Sequence, residues 1–370
     1  MAAVLRVATP PRRVIVLTHP GQLELVNEIL ARLKYYAPNL DKIGIVVDIK
    51  ESLSLKNRLS ITPLLSLLGP GAIPFCLQKL VGGIFYVNFE ENGVDGWQWH
   101  EFLTYLKGPA GTELALSKDR LTSFVSRIKH EQHDKCYIFG TGSSLDKAIN
   151  RSWNDGYRVV CNTIVRDPEL WQHVNPHFIV AGDAIYHFGH TEFARAFRKD
   201  LQARLQESDT MFVYPAIFHA FVERELSEVK DRLIPIGQGR NQSFNIDLLQ
   251  VFELPALGNV LGLLLLPIAC TLSKKIFMIG FDGRAPDDKL FWSNSKKHSY
   301  PELMHSLQEA HPKFFEQFMP KPGTDSYVKK YHGDLMDTLM TNAEREGWIF
   351  VMMHRSWTET FQKRYVEGLL

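Results

Sequence analysis

Residues 136–150 read CYIFGTGSSLDKAIN. An apolar run of strand character enters a turn at Gly140, Thr141 and Gly142 and leaves it in a helix-like segment. Glycines at such a turn let the backbone come close to a phosphate or a sugar. The helix start that follows offers free N–H donors and a partial positive charge. Ser143 and Ser144 can cap that helix or bind an oxygen directly. Leu145 stands where a dinucleotide fingerprint needs its third glycine, so the turn is a poor NAD motif. A tight structural turn explains the same letters. The position of the stretch is more informative. It opens an α/β pattern more than a third of the way along a chain of 370 residues, so another domain precedes it.

Downstream, apolar runs recur with strand character: YRVVCNTIV (157–165), HFIVAGD (177–183), MFVYPAI (211–217), IFMIGFDG (276–283) and WIFVMM (348–353). Amphipathic stretches lie between them, TEFARAFRKDLQARLQES (191–208) and DLMDTLMTNAEREG (334–347), the latter ending on a helix-stopping Gly347. Upstream, RVIVLT (13–18), KIGIVVDI (42–49) and GIFYVNF (83–89) read as strands, with a helix over 21–36. The expected architecture is α/β. A smaller N-terminal α/β domain over 1–130 precedes a Rossmann-like domain over 131–370 with a mostly parallel sheet.

Composition excludes some classes. The chain is 45% hydrophobic and 22% charged, with a net charge of +1. That suits a globular protein and gives no electrostatic footprint for nucleic acid. The cysteines Cys76, Cys136, Cys161 and Cys270 lack zinc or redox spacing and read as buried free thiols. No signal peptide is expected. Residues 254–273, LPALGNVLGLLLLPIACTLS, are apolar enough to suggest a membrane span. Gly258, Asn259, Gly262 and Pro267 interrupt them, so a helix buried under a sheet fits better. A cytoplasmic protein is expected, with peripheral association at the inner face of a membrane and homo-oligomerisation both open. No metal is called for: there is no Asp-x-Asp, and the histidine pairs 130/133, 173/177 and 187/190 lack an accompanying ligand framework.

Ligands in open parallel sheets bind beyond the carboxyl ends of the strands. Asn162, Asp183 and Asp282 each follow a strand-like run, so the three could converge on one cleft. Each alone could be only a turn or cap residue.

These segments, in this order, resemble the bacterial sialyltransferases of glycosyltransferase family 42 and the broader motility-accessory-factor-like glycosyltransferases. The resemblance covers about residues 134–356 and leaves the first third outside. It implies a cleft for a CMP-linked nonulosonic sugar, sialic-acid-like or Kdo-like, with no further cofactor and a glycan as acceptor. Gly140, Thr141, Gly142 and Ser143 would lie against the nucleotide phosphate and ribose, with Ser144 beside them. Asn162 would hold the nucleotide or the sugar, Gly258 and Asn259 would form a donor-contacting loop, and Asp282 would close the cleft floor. Asp183 stands where the family often has asparagine, and a carboxylate there would repel the donor's own carboxylate.

Inverting transfer asks for a general base and for stabilisation of the departing phosphate. The family's base, a histidine ahead of the last helix, is best matched by His332; His311 and His298 compete. In place of the family's tyrosines stand Gly283, Arg284 and Ala285. Arg284 could stabilise the leaving group, with Lys296, Lys297 and Tyr300 as further candidates. Trp292 could pack on a sugar. Two other readings stay open: an ATP- and magnesium-dependent pterin diphosphokinase with Asp183 and Asp282 as metal ligands, and a non-catalytic sugar-nucleotide-binding module.

Overall fold

The computed structural model describes residues 13–18, 23–38, 46–51, 84–88, 93–105, 109, 111–285, 297–312, 315–316 and 333–370. Cys76, Asp287, Asp288, Trp292, Lys296 and His332 lie outside the described residues.

The chain divides into two compact units, one of Met1–Lys107 with Ser306–Gln317, the other of Gly108–His305 with Phe318–Leu370. The first holds a three-stranded parallel sheet of order β2-β1-β3, with β1 at Arg13–Thr18, β2 at Val46–Glu51 and β3 at Ile84–Asn88. These are the three expected strands. The helix Leu23–Tyr36 buries Val26, Ile29, Leu33 and Tyr36, spaced three or four residues apart on one face. Tyr36 stacks on Trp99 with ring centroids 5.1 Å apart. Arg32 clasps Asp95 through two hydrogen bonds of 2.8 and 3.0 Å.

The second unit is built on a seven-stranded parallel sheet of order β10-β9-β4-β5-β6-β7-β8. Its strands are β4 (Lys135–Phe139), β5 (Tyr157–Cys161), β6 (Phe178–Val180), β7 (Met211–Pro215), β8 (Leu233–Ile236), β9 (Lys275–Ile279) and β10 (Ile349–Met352). The expected Rossmann-like α/β class is thus what the chain forms. Strands β5 to β7 are buried along their whole length, as is β4 after Lys135, because helices cover both faces of a parallel sheet. β8 escapes sequence reading. It is short and carries Pro235, which a sheet tolerates at an edge, where β8 lies.

The domain boundary needs correction. The helix Gly111–Lys129, expected to end the first domain, belongs to the second unit. Its Leu121, Phe124, Val125 and Ile128 enter the core of the seven-stranded sheet. Ser117 Oγ donates to the Pro235 carbonyl at 2.7 Å, and Arg120 donates to the Leu233 carbonyl. The polar letters of this segment cover only its outer face.

After β8 the chain returns beneath the sheet through the apolar stretch. Leu261–Leu265 forms a π-helical turn that runs into the α-helix Leu266–Leu272. Every residue of both is buried. No helix among the described residues is long and apolar enough to cross a membrane. The hydrophobicity of this stretch is that of a helix under β4, β5 and β9. Cys136, Cys161 and Cys270 are buried free thiols, and burial pushes the Cys161 thiol up to about 12.

Leu264 is wholly buried in this crossover helix. Leu264→Ala should destabilise the second unit by about 2–5 kcal/mol, read as a lower urea midpoint at unchanged slope.

Candidate functional site

The chain leaves β4 toward β5 on one side and later returns to β9 on the other. The strand order therefore reverses between β4 and β9, and a crevice opens at their carboxyl ends. Phe139 pairs with Ile279, which sets Gly140 beside Gly280 and Gly142 beside Asp282. The Gly140 N–H donates to the Ile279 carbonyl at 2.8 Å, and the Gly142 N–H to the Gly280 carbonyl at 2.9 Å. A Cβ on Gly140 or Gly280 would collide with the other's carbonyl oxygen, and Gly280 also has a left-handed φ of +80°. The glycines let two strand-end turns touch backbone to backbone.

Asp282 caps the segment after β4. Its carboxylate accepts from the Ser144 N–H at 3.1 and 3.2 Å, from Ser144 Oγ at 2.9 Å and from Ser143 Oγ at 3.4 Å. A Cβ on Gly142 would strike this carboxylate. The expectation that the turn leaves its first amides for a nucleotide phosphate therefore needs correction: those of Gly140, Gly142 and Ser144 already serve the protein. The segment Ser143–Asn150 is 3-10 in form, and its N-terminus faces a protein carboxylate.

His354, just past the end of β10, completes the cluster. Its Nδ1 donates to the Arg355 carbonyl at 2.8 Å. Its Nε2 accepts from the Gly280 N–H at 3.1 Å and lies 2.7 Å from Ser144 Oγ. Burial holds its pKa below the usual value, against the opposing charge of Asp282, which keeps the ring neutral near pH 7. Sequence reading missed His354, although its place after a strand-like run was a signal of the kind that marked Asn162 and Asp183. Trp357, also missed, is 65% exposed and donates its backbone N–H to the Asp282 carbonyl at 2.7 Å.

Asn162 begins where β5 ends, in a left-handed conformation with φ of 51°. Phe139 pairs with Val160, so Asn162 lies on the strand edge that carries the glycine turn. Its Oδ1 is sealed from solvent and has no hydrogen-bond partner among the described residues. A buried amide oxygen without a donor is uncommon and costly.

Asp183 follows β6 on the same edge, at the start of the helix Ala184–Phe188, yet its side chain does not cap that helix. No hydrogen bond or ion pair reaches its carboxylate among the described residues. Desolvation raises its pKa to about 6. Its backbone carbonyl is held by the His187 N–H at 3.0 Å and by His187 Nδ1 at 2.9 Å. His187 is buried against Phe197, with centroids 4.5 Å apart, and desolvation lowers its pKa to about 4.

The remaining expected residues are dispersed. Asn259 is buried, and its Oδ1 accepts from the Gly262 N–H at 2.8 Å, so its carbonyl caps the crossover helix beside Gly258. Arg284 follows Asp282 and Gly283 past β9. Tyr300, expected near the donor, is buried with its hydroxyl 2.6 Å from Asp200 and its ring between Phe193 and Arg166. It anchors the chain at the β5 end instead. His298 is 2% exposed and sits 3.1 Å from an Asp146 oxygen and 3.3 Å from an Asp167 oxygen. Its carbonyl accepts from Thr163 Oγ1. Desolvation lowers its pKa despite both carboxylates. His311 belongs to the first unit, and burial lowers its pKa to about 4. His298 belongs to the second unit, and His332 lies outside the described residues.

One cluster of metal-ligand type exists among the described residues. Glu113, His219 and Glu223 each offer a ligand atom, all within 4.8 Å of one another. Glu223 also faces Lys230 at 3.5 Å, and His219 Nδ1 bonds Tyr214 Oη at 2.8 Å. Glu113 lies far from His219 and Glu223 in the sequence, so no local motif marked the set. No family model, curated protein or solved structure matches this chain.

The folded-state pKa of Asp183 lies above the 3.8 of an ordinary aspartate, so its contribution to stability is complete in acid and is lost as pH rises through about 6. Asp183→Asn should therefore raise Tm by a few degrees at pH 8. The gain should shrink below pH 6 and vanish toward pH 4, read by thermal melts across pH.

Proposed function

We propose that the second unit is an inverting glycosyltransferase that takes a nonulosonic sugar from a CMP-linked donor held at the carboxyl edge of the sheet. The observation that carries this reading is the sealed, unpartnered Oδ1 of Asn162 beside the strand-order reversal. An amide oxygen accepts only, so what satisfies it brings an N–H or an O–H. The cytosine amino group and the ribose hydroxyls both do. The left-handed backbone at Asn162 is a strained conformation of the kind that collects at ligand sites. The order of polar residues at the strand ends agrees with the resemblance to family 42 and its relatives.

With the first turn amides engaged, recognition of the phosphate falls to side chains on the same edge. The Ser143 hydroxyl is given to Asp282, and Arg284 brings a fixed cation to this edge. A guanidinium near the departing phosphate would stabilise the charge that develops as the glycosidic bond breaks. Asp282 has both oxygens accepting hydrogen bonds from Ser143 and Ser144. That lends less support to the diphosphokinase reading, which asks Asp282 to ligate a metal.

Thermal melts with CMP, UDP, GDP and ATP with magnesium test the reading. CMP should raise Tm, since a ligand present at 100 times its Kd stabilises the folded state by about 2.7 kcal/mol. Asn162→Ala should weaken CMP binding roughly ten- to a hundredfold, the worth of a hydrogen bond to a buried acceptor. If CMP gives no shift and no CMP-sugar is hydrolysed or transferred, the reading fails. A shift with ATP and magnesium alone would favour the diphosphokinase.

A further inference from the structure

We propose that Asp183 is the general base of this site, the group that takes the proton from the attacking hydroxyl of the acceptor. The inference rests on the glycosyl-transfer reading and adds the catalytic group to it.

The geometry treats the main chain and the side chain of Asp183 in opposite ways. Two hydrogen bonds from His187 fix its carbonyl. His187 is itself locked in the core against Phe197. Just before it, Gly182 leaves room for Leu263 and Leu264 of the crossover helix, which back the strand end with an apolar wall. The carboxylate on this rigid mount has no protein partner among the described residues and does not cap the helix that it begins. Half-buried carboxylates without partners are costly and collect where a ligand supplies the missing contact.

The chemistry narrows that ligand. An ionised carboxylate accepts hydrogen bonds and cannot donate them, and it repels a donor that carries its own carboxylate. A neutral hydroxyl on the acceptor satisfies it without that repulsion. The pKa of about 6 leaves Asp183 ionised at neutral pH yet a stronger base than an ordinary aspartate. In the step, the acceptor oxygen forms a bond to the anomeric carbon of the donor sugar, and its proton passes to Asp183. The bond from that carbon to the phosphate oxygen breaks, and its electron pair leaves with CMP.

Two of the described histidines are less suited: both ring nitrogens of His298 face carboxylates, and His354 is spent on Ser144, Gly280 and Arg355. Tyr186, whose hydroxyl pKa is raised by burial and further by the charge of Asp183, stays protonated and cannot serve as base.

Steady-state rates across pH with a CMP-sugar and an acceptor, for wild type, Asp183→Asn, Asp183→Ala and His332→Ala, test the proposal. Asp183→Asn should lower kcat by roughly 10²–10⁴-fold, keep the CMP-induced rise in Tm, and abolish the fall in rate below pH 6. Added formate should restore part of the turnover of Asp183→Ala. The proposal is overturned if Asp183→Asn keeps kcat within threefold, or if it loses CMP binding along with activity. It is also overturned if turnover depends on magnesium that Asp183→Asn no longer binds, or if His332→Ala alone removes the acid limb. A wild-type protein that binds no CMP would sink the glycosyl-transfer reading itself, an outcome visible before any variant is assayed.

Discussion

The contact on which the second unit turns is the one between Gly140 and Gly280. Two parallel strands adjacent in the sheet end at the same level, and their exit turns touch backbone to backbone. Neither position has room for a Cβ. This closeness lets Asp282 reach the amide of Ser144, lets the Gly280 N–H reach His354, and sets the strand-order reversal at one narrow seam. Residues from β4, β9 and the chain after β10 meet there, although more than two hundred positions separate Ser144 from His354.

The seam is satisfied internally. Asp282 supplies negative charge to the start of the segment after β4, where a phosphate would otherwise be welcome. The glycine turn thus acts as a structural joint, and the unmet polarity lies further along the edge, at Asn162 and Asp183. A protein interior normally pairs its polar atoms. Among the described residues the pairing is complete at the joint, while Asn162 Oδ1 and the Asp183 carboxylate further along the edge have no partner.

Much of this was legible in the sequence, because the signals are local. Apolar runs, glycine exits and helical spacing marked β4 to β7, β9 and β10 and the buried nature of residues 254–273. The misses share one cause. The helix Gly111–Lys129 looked like a polar connector because its buried stripe is narrow, and only its packing on β8 shows which unit owns it. β8 is too short and too proline-marked to stand out. His298 and Tyr300 looked like candidates in a loop, yet Asp146, Asp167, Asp200 and Arg166 bury them as anchors.

By itself the sequence determined the α/β class, the presence of a domain ahead of the glycine turn, and the row of polar residues at strand ends. These follow from periodicity and turn chemistry, which act over a few residues. Tertiary structure alone decided what each of those residues does. Asp282 and Asp183 are the same side chain in similar strand-end settings. One accepts hydrogen bonds from Ser143 and Ser144, and the other has no partner among the described residues and is driven toward its neutral form. The difference is set by desolvation and hydrogen bonding between segments far apart in the chain, and no local pattern encodes it.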